Sequence, residues 1–188
     1  RDCRINPIFQ GTNALHRLLI AQTFLKRSSG LDGLPLVEGA SAPLDLPQDG
    51  LLRTVALSKA RALKVIALAQ ALHGPKILDN QEAAARIANM LLEIYAMESA
   101  VVRAQKMAAA SHRWADLALD LATAYAQEAW NRIQAEARML AAELASDAVL
   151  DTLVADLLAM QAPAPVALSA VRQRIAQALV DQGRYPIS

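Results

Sequence analysis

The residues that break helices are concentrated at a few points of this chain. All seven glycines and eight prolines lie in the first eleven residues, in segments 28–50, 73–75 and 163–165, or in the last six residues. The runs between them are dominated by alanine and leucine, and the chain is 54% hydrophobic but only 4% aromatic. Such runs favour helix over sheet. The sequence therefore predicts an all-α protein built from long helices and short joints.

Apolar residues recur at three- and four-residue spacing within these runs, which indicates amphipathic helices. The predicted helices span 13–27, 51–72, 80–107, 113–145, 147–160 and 165–182. Asn80 is the expected N-cap of the third helix, Pro165 the expected first residue of the last one, and Gly183 the residue that ends it. We interpret 1–27 as the end of a preceding domain and 28–50 as a linker. The remainder, 51–188, is predicted to be an antiparallel helical bundle.

Two predicted helices carry apolar stripes that should face a core. The stripe of the third helix consists of Ala84, Ile87, Leu91, Ile94, Met97 and Val101. The stripe of the fourth consists of Trp114, Leu117, Leu121, Tyr125, Ile133, Leu140 and Leu144. The four residues Tyr95, Trp114, Tyr125 and Trp130 are interpreted as core or helix-interface residues.

The predicted helix 51–72 has two different faces. Its expected core face carries Leu52, Val55, Leu63 and Ile66. The opposite face carries Arg53, Arg61 and Lys64, together with Leu57 and Leu68. A cationic and partly apolar face suits a peripheral membrane contact or an anionic partner. The alternative is a solvated face on which the stems of the basic residues cover buried leucines.

Charge and cysteine content exclude several classes of function. The net charge of +1 gives no case for nucleic-acid binding. The single Cys3 excludes an internal disulfide and fits a reducing compartment. His16, His73 and His112 lack metal-ligand spacing, so no metal site is expected. No apolar run reaches the roughly 20 residues needed to cross a bilayer. We expect a soluble intracellular protein, in the bacterial cytoplasm or, in a eukaryote, the mitochondrial matrix or its inner-membrane face.

The first seventeen residues form an extended segment that passes directly into a helix. Pro7 favours an extended residue before it. Gly11 lets the backbone turn tightly or approach a ligand closely, and Thr12 and Asn13 are good N-cap residues. Gln10, the Gly11 backbone and the first free N–H groups of the helix thus come together, which suits an anionic or polar ligand. A plain loop-to-helix junction has the same pattern.

This stretch, RDCRINPIFQGTNALHR, resembles the arginine-aspartate…phenylalanine-glutamate-glycine-threonine-asparagine…arginine signature of the acyl-CoA dehydrogenases. The resemblance implies FAD as cofactor and an acyl-CoA thioester as substrate. In that family a carboxylate removes the α-proton while the β-hydrogen leaves as hydride to the flavin, giving the trans-2-enoyl-CoA. Because the chain begins inside the motif, we expect a C-terminal fragment that is inactive alone. We interpret Arg17, the last residue of the motif, as anchoring the helix.

The resemblance also implies roles for five consecutive residues. Gln10 takes the position of the catalytic glutamate that many members carry, and Gly11 takes that of the glycine against the substrate. Thr12, Asn13 and Ala14 match the residues that contact FAD. A glutamine is not a base near neutral pH. The base is therefore on an earlier helix, as in some relatives, or the protein is a silent paralogue, or the glutamine is not the natural residue.

Two further segments resemble the very-long-chain acyl-CoA dehydrogenases. Residues 87–97 resemble a helix of the extra C-terminal domain in that subfamily, and residues 179–186 are similar to its tail. The resemblance implies a long-chain substrate, an electron-transfer flavoprotein as acceptor, a homodimer and membrane association. The linker 28–50 has four acidic residues and no Lys or Arg, so a membrane contact would fall on helix 51–72. The rival hypothesis is a non-catalytic helical assembly module that keeps the motif unused.

Overall fold

The chain is helical in the computed structural model, which describes residues 13–29, 46–144, 155 and 162–183. The helices are α1 (Asn13–Ser29), α2 (Gly50–His73), a short 3₁₀ helix (Gly74–Asp79), α3 (Gln81–Ala109), α4 (Ala115–Leu144) and α5 (Leu168–Gln182). No strand occurs in the described ranges, which confirms the predicted all-α class. The predicted helix 147–160 lies outside the described residues except for Ala155, which is helical.

Side-chain caps explain where α2 and α3 begin. The Asp49 Oδ1 accepts hydrogen bonds from the backbone N–H groups of Leu51 and Leu52, both at 2.9 Å. The Asn80 Oδ1 accepts one from the backbone N–H of Ala83 at 3.1 Å. These acceptors satisfy N–H groups that have no partner inside the helix. The predicted cap at Asn80 is therefore confirmed, and both helices begin within a residue of the predicted positions.

The last helix begins later than predicted. We expected Pro165 to be its first residue, but α5 starts at Leu168. The backbone N–H of Leu168 donates to the carbonyl of Val166 at 2.9 Å, so a tight turn precedes the helix. A proline is tolerated at the first helical position but does not force a helix to start there. Gly183 ends α5 in the left-handed conformation, with φ of 62°, as predicted.

The chain divides into two compact units, and the long helices contribute residues to both. Among the described residues, the first unit contains α1 with 61–92 and 135–144, and the second contains 46–60, 93–134 and 162–183. In the first unit, Arg86 pairs with Glu143 and Asn89 with Glu136. From Arg86 to Asn89 the residue number on α3 rises, whereas the number of the partner on α4 falls from 143 to 136. The two helices are therefore antiparallel, as short connections between neighbours require.

Each unit has its own set of fully buried apolar side chains. In the first unit these include Ile66, Ile77, Ile87, Met90 and Leu140. In the second they include Leu57, Met97, Val101 and Ile133. The predicted stripe of α3 is confirmed, with five of its six members buried and Leu91 half-buried. On α4 the predicted Leu117, Ile133 and Leu140 are buried, and buried alanines between them leave space for close helix approach.

Tyr95 was predicted to lie in the core or at a helix interface, and this prediction is wrong. Its side chain is 73% exposed. The buried residues of α3 follow the stripe through Ile94 and Met97, and at about 100° per residue position 95 turns onto the solvent side of the helix.

Within the described residues, none of the helices combines the length and apolar character needed to span a bilayer.

Helix α5 is attached to α4 mainly through ion pairs at the surface. The Arg174 guanidinium binds the Asp120 carboxylate with two hydrogen bonds, and Arg172 binds Glu128. Val171 is the buried residue of α5. The hydrogen bond from Arg172 lowers the pKa of Glu128 despite an opposing effect of desolvation, and the positive charges of Arg172 and Arg132 lower it further. The attachment of α5 therefore depends on ionised carboxylates.

Replacing Asp49 tests the cap of α2. We expect Asp49→Ala to lower the free energy of unfolding by about 1 kcal/mol, because two N–H groups lose their acceptor. Asp49→Asn keeps an oxygen in the same place and should stay close to the wild type. Urea denaturation of the three proteins measures the difference. Equal destabilisation by both variants would contradict a role for the side-chain acceptor.

The lowered pKa of Glu128 predicts an acid-sensitive attachment of α5. A carboxyl whose pKa is lower in the folded protein stabilises it above the unfolded-state pKa of roughly 4.3, and loses this effect as the pH falls through the folded pKa. Glu128→Gln should thus cost about 0.2–1 kcal/mol near neutral pH, the range for exposed pairs, and almost nothing at about pH 3. Urea denaturation at the two pH values measures it.

A cost of Glu128→Gln that stays the same at both pH values would contradict the proposed dependence on ionisation.

Candidate functional site

The candidate site is the amino-terminal end of α1. Of the five predicted site residues, Gln10, Gly11 and Thr12 lie outside the described residues, whereas Asn13 and Ala14 form the start of α1. Their side chains are exposed, and the first turn contains no acidic residue. The positive end of the helix dipole lies at this turn, which suits an anionic group.

Arg17 lies one helical turn after Asn13 and joins α1 to α3. Its Nε donates a hydrogen bond to the Asn89 Oδ1 at 2.6 Å, between residues 72 positions apart. Both side chains are partly buried. The contact supports the interpretation of Arg17 as an anchor of the helix.

Asn89 is in turn held by a group of charged residues on α3 and α4. Its Nδ2 donates to the Glu136 Oε1 at 2.8 Å, and the Glu136 Oε2 accepts from the Arg86 Nη1 at 3.2 Å. The Arg86 Nε also donates to Glu143. Burial lowers the pKa of Arg86, but its hydrogen bonds to Glu143 and Glu136 outweigh this effect and raise it overall. The Arg86 guanidinium therefore stays charged near neutral pH.

The second half of α1 is held by apolar burial. Ala21 and Leu25 are buried, and the Gln70 Nε2 donates to the Ser28 Oγ at 3.3 Å. The 3₁₀ helix packs against α1 and buries Ile77. The carboxyl-terminal half of α1 is thus part of the core of the first unit, whereas its first turn projects from it.

A second polar cluster lies in the second unit and was not singled out from the sequence. The Tyr125 hydroxyl donates to the Glu93 Oε2 at 2.9 Å, and the Arg132 guanidinium donates to both Glu93 oxygens at 2.7 and 3.0 Å. Burial, followed by the hydrogen bond to Glu93 and its negative charge, raises the pKa of Tyr125. A tyrosine that is harder to ionise is a poor base near neutral pH. We interpret this cluster as a connection between α3 and α4.

Part of the predicted cationic face of helix 51–72 is buried, and a membrane contact of this helix stays a prediction. None of the residues 51–70 is exposed, and Arg61, placed on the cationic face, is only 5% exposed. Burial, and to a smaller extent the nearby positive charge of Arg138, lowers the pKa of Arg61. The buried Leu57 belongs to the same side of the helix. The other members of the predicted face, Arg53, Lys64 and Leu68, are half-buried. Cations that bind a membrane surface lie in water, so Arg61 does not contribute to such a contact.

Clusters of ionisable side chains are a second kind of candidate site. The part of the chain that the structure describes contains no group of three or more His, Cys, Asp and Glu side chains that could hold a metal ion. Asp120, which shares a helix face with Asp116, is paired with Arg174. The other carboxylate pair, Asp147 and Asp151, lies outside the described residues.

Comparison with known proteins adds to this geometry. The family profile described as acyl-CoA dehydrogenase, C-terminal domain, matches residues 57–158. A protein of Bacillus subtilis (strain 168), named probable acyl-CoA dehydrogenase, is 38% identical over 152 residues, which cover 73% of this chain and 25% of that protein. The chain thus spans a quarter of the length of this curated relative.

A solved structure resembles the whole chain. It is the crystal structure of an acyl-CoA dehydrogenase complexed with FAD from Bacillus anthracis, with a TM-score of 0.86 and 27% sequence identity. The similarity covers 100% of this chain and 34% of that one.

Proposed function

This chain belongs to the acyl-CoA dehydrogenase C-terminal domain family, and we propose that it is the C-terminal part of a flavin-dependent acyl-CoA dehydrogenase. The proposed reaction oxidises a long-chain acyl-CoA to the trans-2-enoyl-CoA. A protein base takes the α-proton of the thioester, and FAD accepts the β-hydrogen as a hydride. Relatives that are named acyl-CoA dehydrogenases, one of them solved with FAD, support this assignment.

The observation that carries the proposal is the exposed first turn of α1 on an otherwise well-held helix. Asn13 and Ala14 are exposed, the first turn of α1 contains no acidic residue, and Arg17 is hydrogen-bonded to Asn89 one turn later. FAD carries a pyrophosphate, and a helix amino terminus free of negative charge fits such a group. Thr12, Asn13 and Ala14 are the residues that would hold the cofactor. Gly11 would lie against the acyl-CoA.

The identity of residue 10 bears on where the catalytic base lies, because Gln10 takes the position of the glutamate that many members carry. A neutral amide can position the thioester by hydrogen bonding, but it cannot take the α-proton near neutral pH. We therefore assign the base to a part of the intact enzyme upstream of this chain. The enzyme is further proposed to be a homodimer that passes electrons to an electron-transfer flavoprotein.

A second candidate function is that of a non-catalytic helical assembly module from an inactive paralogue. The neutral Gln10, at the position where many members carry a glutamate, is the observation that favours it. The visible absorbance spectrum of the purified intact protein separates the two functions. Bound flavin that bleaches on titration with a long-chain acyl-CoA indicates the enzyme, whereas absence of flavin indicates the module.

Substitution of Gln10 tests the location of the base. If the base lies upstream, Gln10→Glu in the intact enzyme should leave the rate of acyl-CoA dehydrogenation within about threefold of the wild type. The α-proton of the substrate then already has a base, and a second one is not needed. If the protein lacks a base, the same change should raise the rate by roughly 10²–10⁴. Anaerobic reduction of the flavin by a long-chain acyl-CoA measures the rate, and Gln10→Ala shows what loss of the amide alone does.

Substitution of Ala14 tests whether the start of α1 contacts the cofactor. The side chain is exposed in this chain, so Ala14→Trp should leave the melting temperature unchanged. If residue 14 contacts FAD, the larger tryptophan side chain would clash with the cofactor. A repulsion of about 1.4 kcal/mol or more would weaken FAD binding at least roughly tenfold. The FAD content of the purified intact protein measures this.

Ala176→Trp, at an exposed position of α5, is the control and should retain FAD. Equal FAD content in both variants would argue against cofactor contact at the start of α1.

A further inference from the structure

Helix α1 is held in two different ways along its length. Its second half is fixed by the burial of Ala21 and Leu25. Its first turn projects with Asn13 and Ala14 exposed, so apolar packing does not define the position of that turn. The hydrogen bond from Arg17 to Asn89 connects this end of the helix to α3. Arg17 is four residues from Asn13, or about 6 Å along the helix axis.

Asn89 uses both ends of its amide, and this fixes the orientation of its side chain. The carbonyl oxygen accepts from Arg17 at 2.6 Å, and the nitrogen donates to Glu136 at 2.8 Å. Rotating the amide would place its NH₂ group against the Arg17 donor and its oxygen against the Glu136 carboxylate, so both bonds would be lost. Asn89 therefore presents its oxygen to Arg17 only because Glu136 holds its nitrogen.

Glu136 is itself held by an ion pair with Arg86, which also pairs with Glu143. The side chains of Arg86, Glu136 and Glu143 are 21%, 21% and 22% exposed. Arg172 and Arg174, which attach α5, are both 58% exposed. Ion pairs and charged hydrogen bonds are stronger where water is excluded. The antiparallel helices α3 and α4 thus offer a rigid support at Glu136.

We propose that the Asn89–Glu136 pair is the positioning element for the first turn of α1, and that it sets where Asn13 and Ala14 stand against the flavin in the intact enzyme. The flavin part of this proposal rests on the proposed function. Asn89 and Glu136 are positioning residues, because they act on the site through Arg17 and α1 and do not touch the cofactor.

The chemistry of the pair provides a sharp test. Asn89→Asp keeps an acceptor for Arg17 but places a second carboxylate against that of Glu136, so the two repel each other. Adding Glu136→Gln restores the original net charge and supplies an NH₂ group that donates to the new carboxylate. In the double variant the side chain at position 136 donates and the one at position 89 accepts, so the hydrogen bond is kept in the reverse direction. The amide oxygen at position 136 still accepts from Arg86.

The experiment compares the wild type, Asn89→Asp, Glu136→Gln and the double variant in the intact protein. The first measurement is hydrogen exchange of the amides of residues 13–20 after removal of flavin, and the second is the dissociation constant of FAD from fluorescence titration. We expect Asn89→Asp to accelerate exchange in these residues roughly tenfold and to weaken FAD binding by a similar factor, the scale of one charged hydrogen bond. The double variant should return both values to within about twofold of the wild type.

Glu98→Gln is the matched control, because it removes a carboxylate paired with Lys59 in the second unit. It should change neither measurement. The proposal is overturned if Asn89→Asp leaves exchange at 13–20 unchanged, or if the double variant is no better than the single one. An equal acceleration across α1, α4 and α5 also overturns it, since the pair would then serve general stability alone. If the wild type binds no FAD, the proposed function and the flavin part fail, while exchange still decides whether the pair positions α1.

Discussion

Burial of apolar stripes on α2, α3 and α4 is the interaction on which the rest of this structure depends. Each fully buried isoleucine, leucine or methionine contributes about 1.5–3 kcal/mol relative to an exposed one. Ile66, Ile87 and Met90 in the first unit, and Leu57 and Met97 in the second, are fully buried. Alanines between the large residues of α4 let the helix backbones approach closely. The polar contacts are arranged around this apolar framework.

The charged groups serve different purposes in the two units. In the first unit, the partly buried Arg86 and Glu136 lead through Asn89 to Arg17 on α1. In the second unit, the exposed Arg172 and Arg174 attach α5 to Glu128 and Asp120 on α4. Ion pairs of exposed side chains are screened by water and salt.

This arrangement has a consequence for the proposed enzyme. Only the second half of α1 belongs to the core of its unit, while the first turn is left exposed for a ligand. Electrostatic catalysis and cofactor chemistry require groups that are placed before the substrate arrives. A helix fixed by core packing at one end and by the Arg17–Asn89 contact near the other meets that requirement.

Local sequence determined the all-α class, the extents of α2, α3 and α4 to within one or two residues, the cap at Asn80 and the glycine end at Gly183. These features depend on the 3.6-residue period and on capping chemistry, which act between residues close in sequence. The motif at the start of the chain likewise indicated the family, although Gln10, Gly11 and Thr12 lie outside the described residues.

Tertiary structure decided which sides of the helices are buried and which charges pair. On α2, Leu57 and Arg61 are buried although they lie opposite the buried Val55 and Ile66, and periodicity could not reveal that both sides face inward. The late start of α5 likewise depended on a turn at Val166 that its proline did not indicate. The contact of Arg17 with Asn89 joins residues 72 positions apart, and no local pattern specifies such a pair. Periodicity describes one helix at a time, whereas burial and pairing depend on the neighbours that folding brings against it.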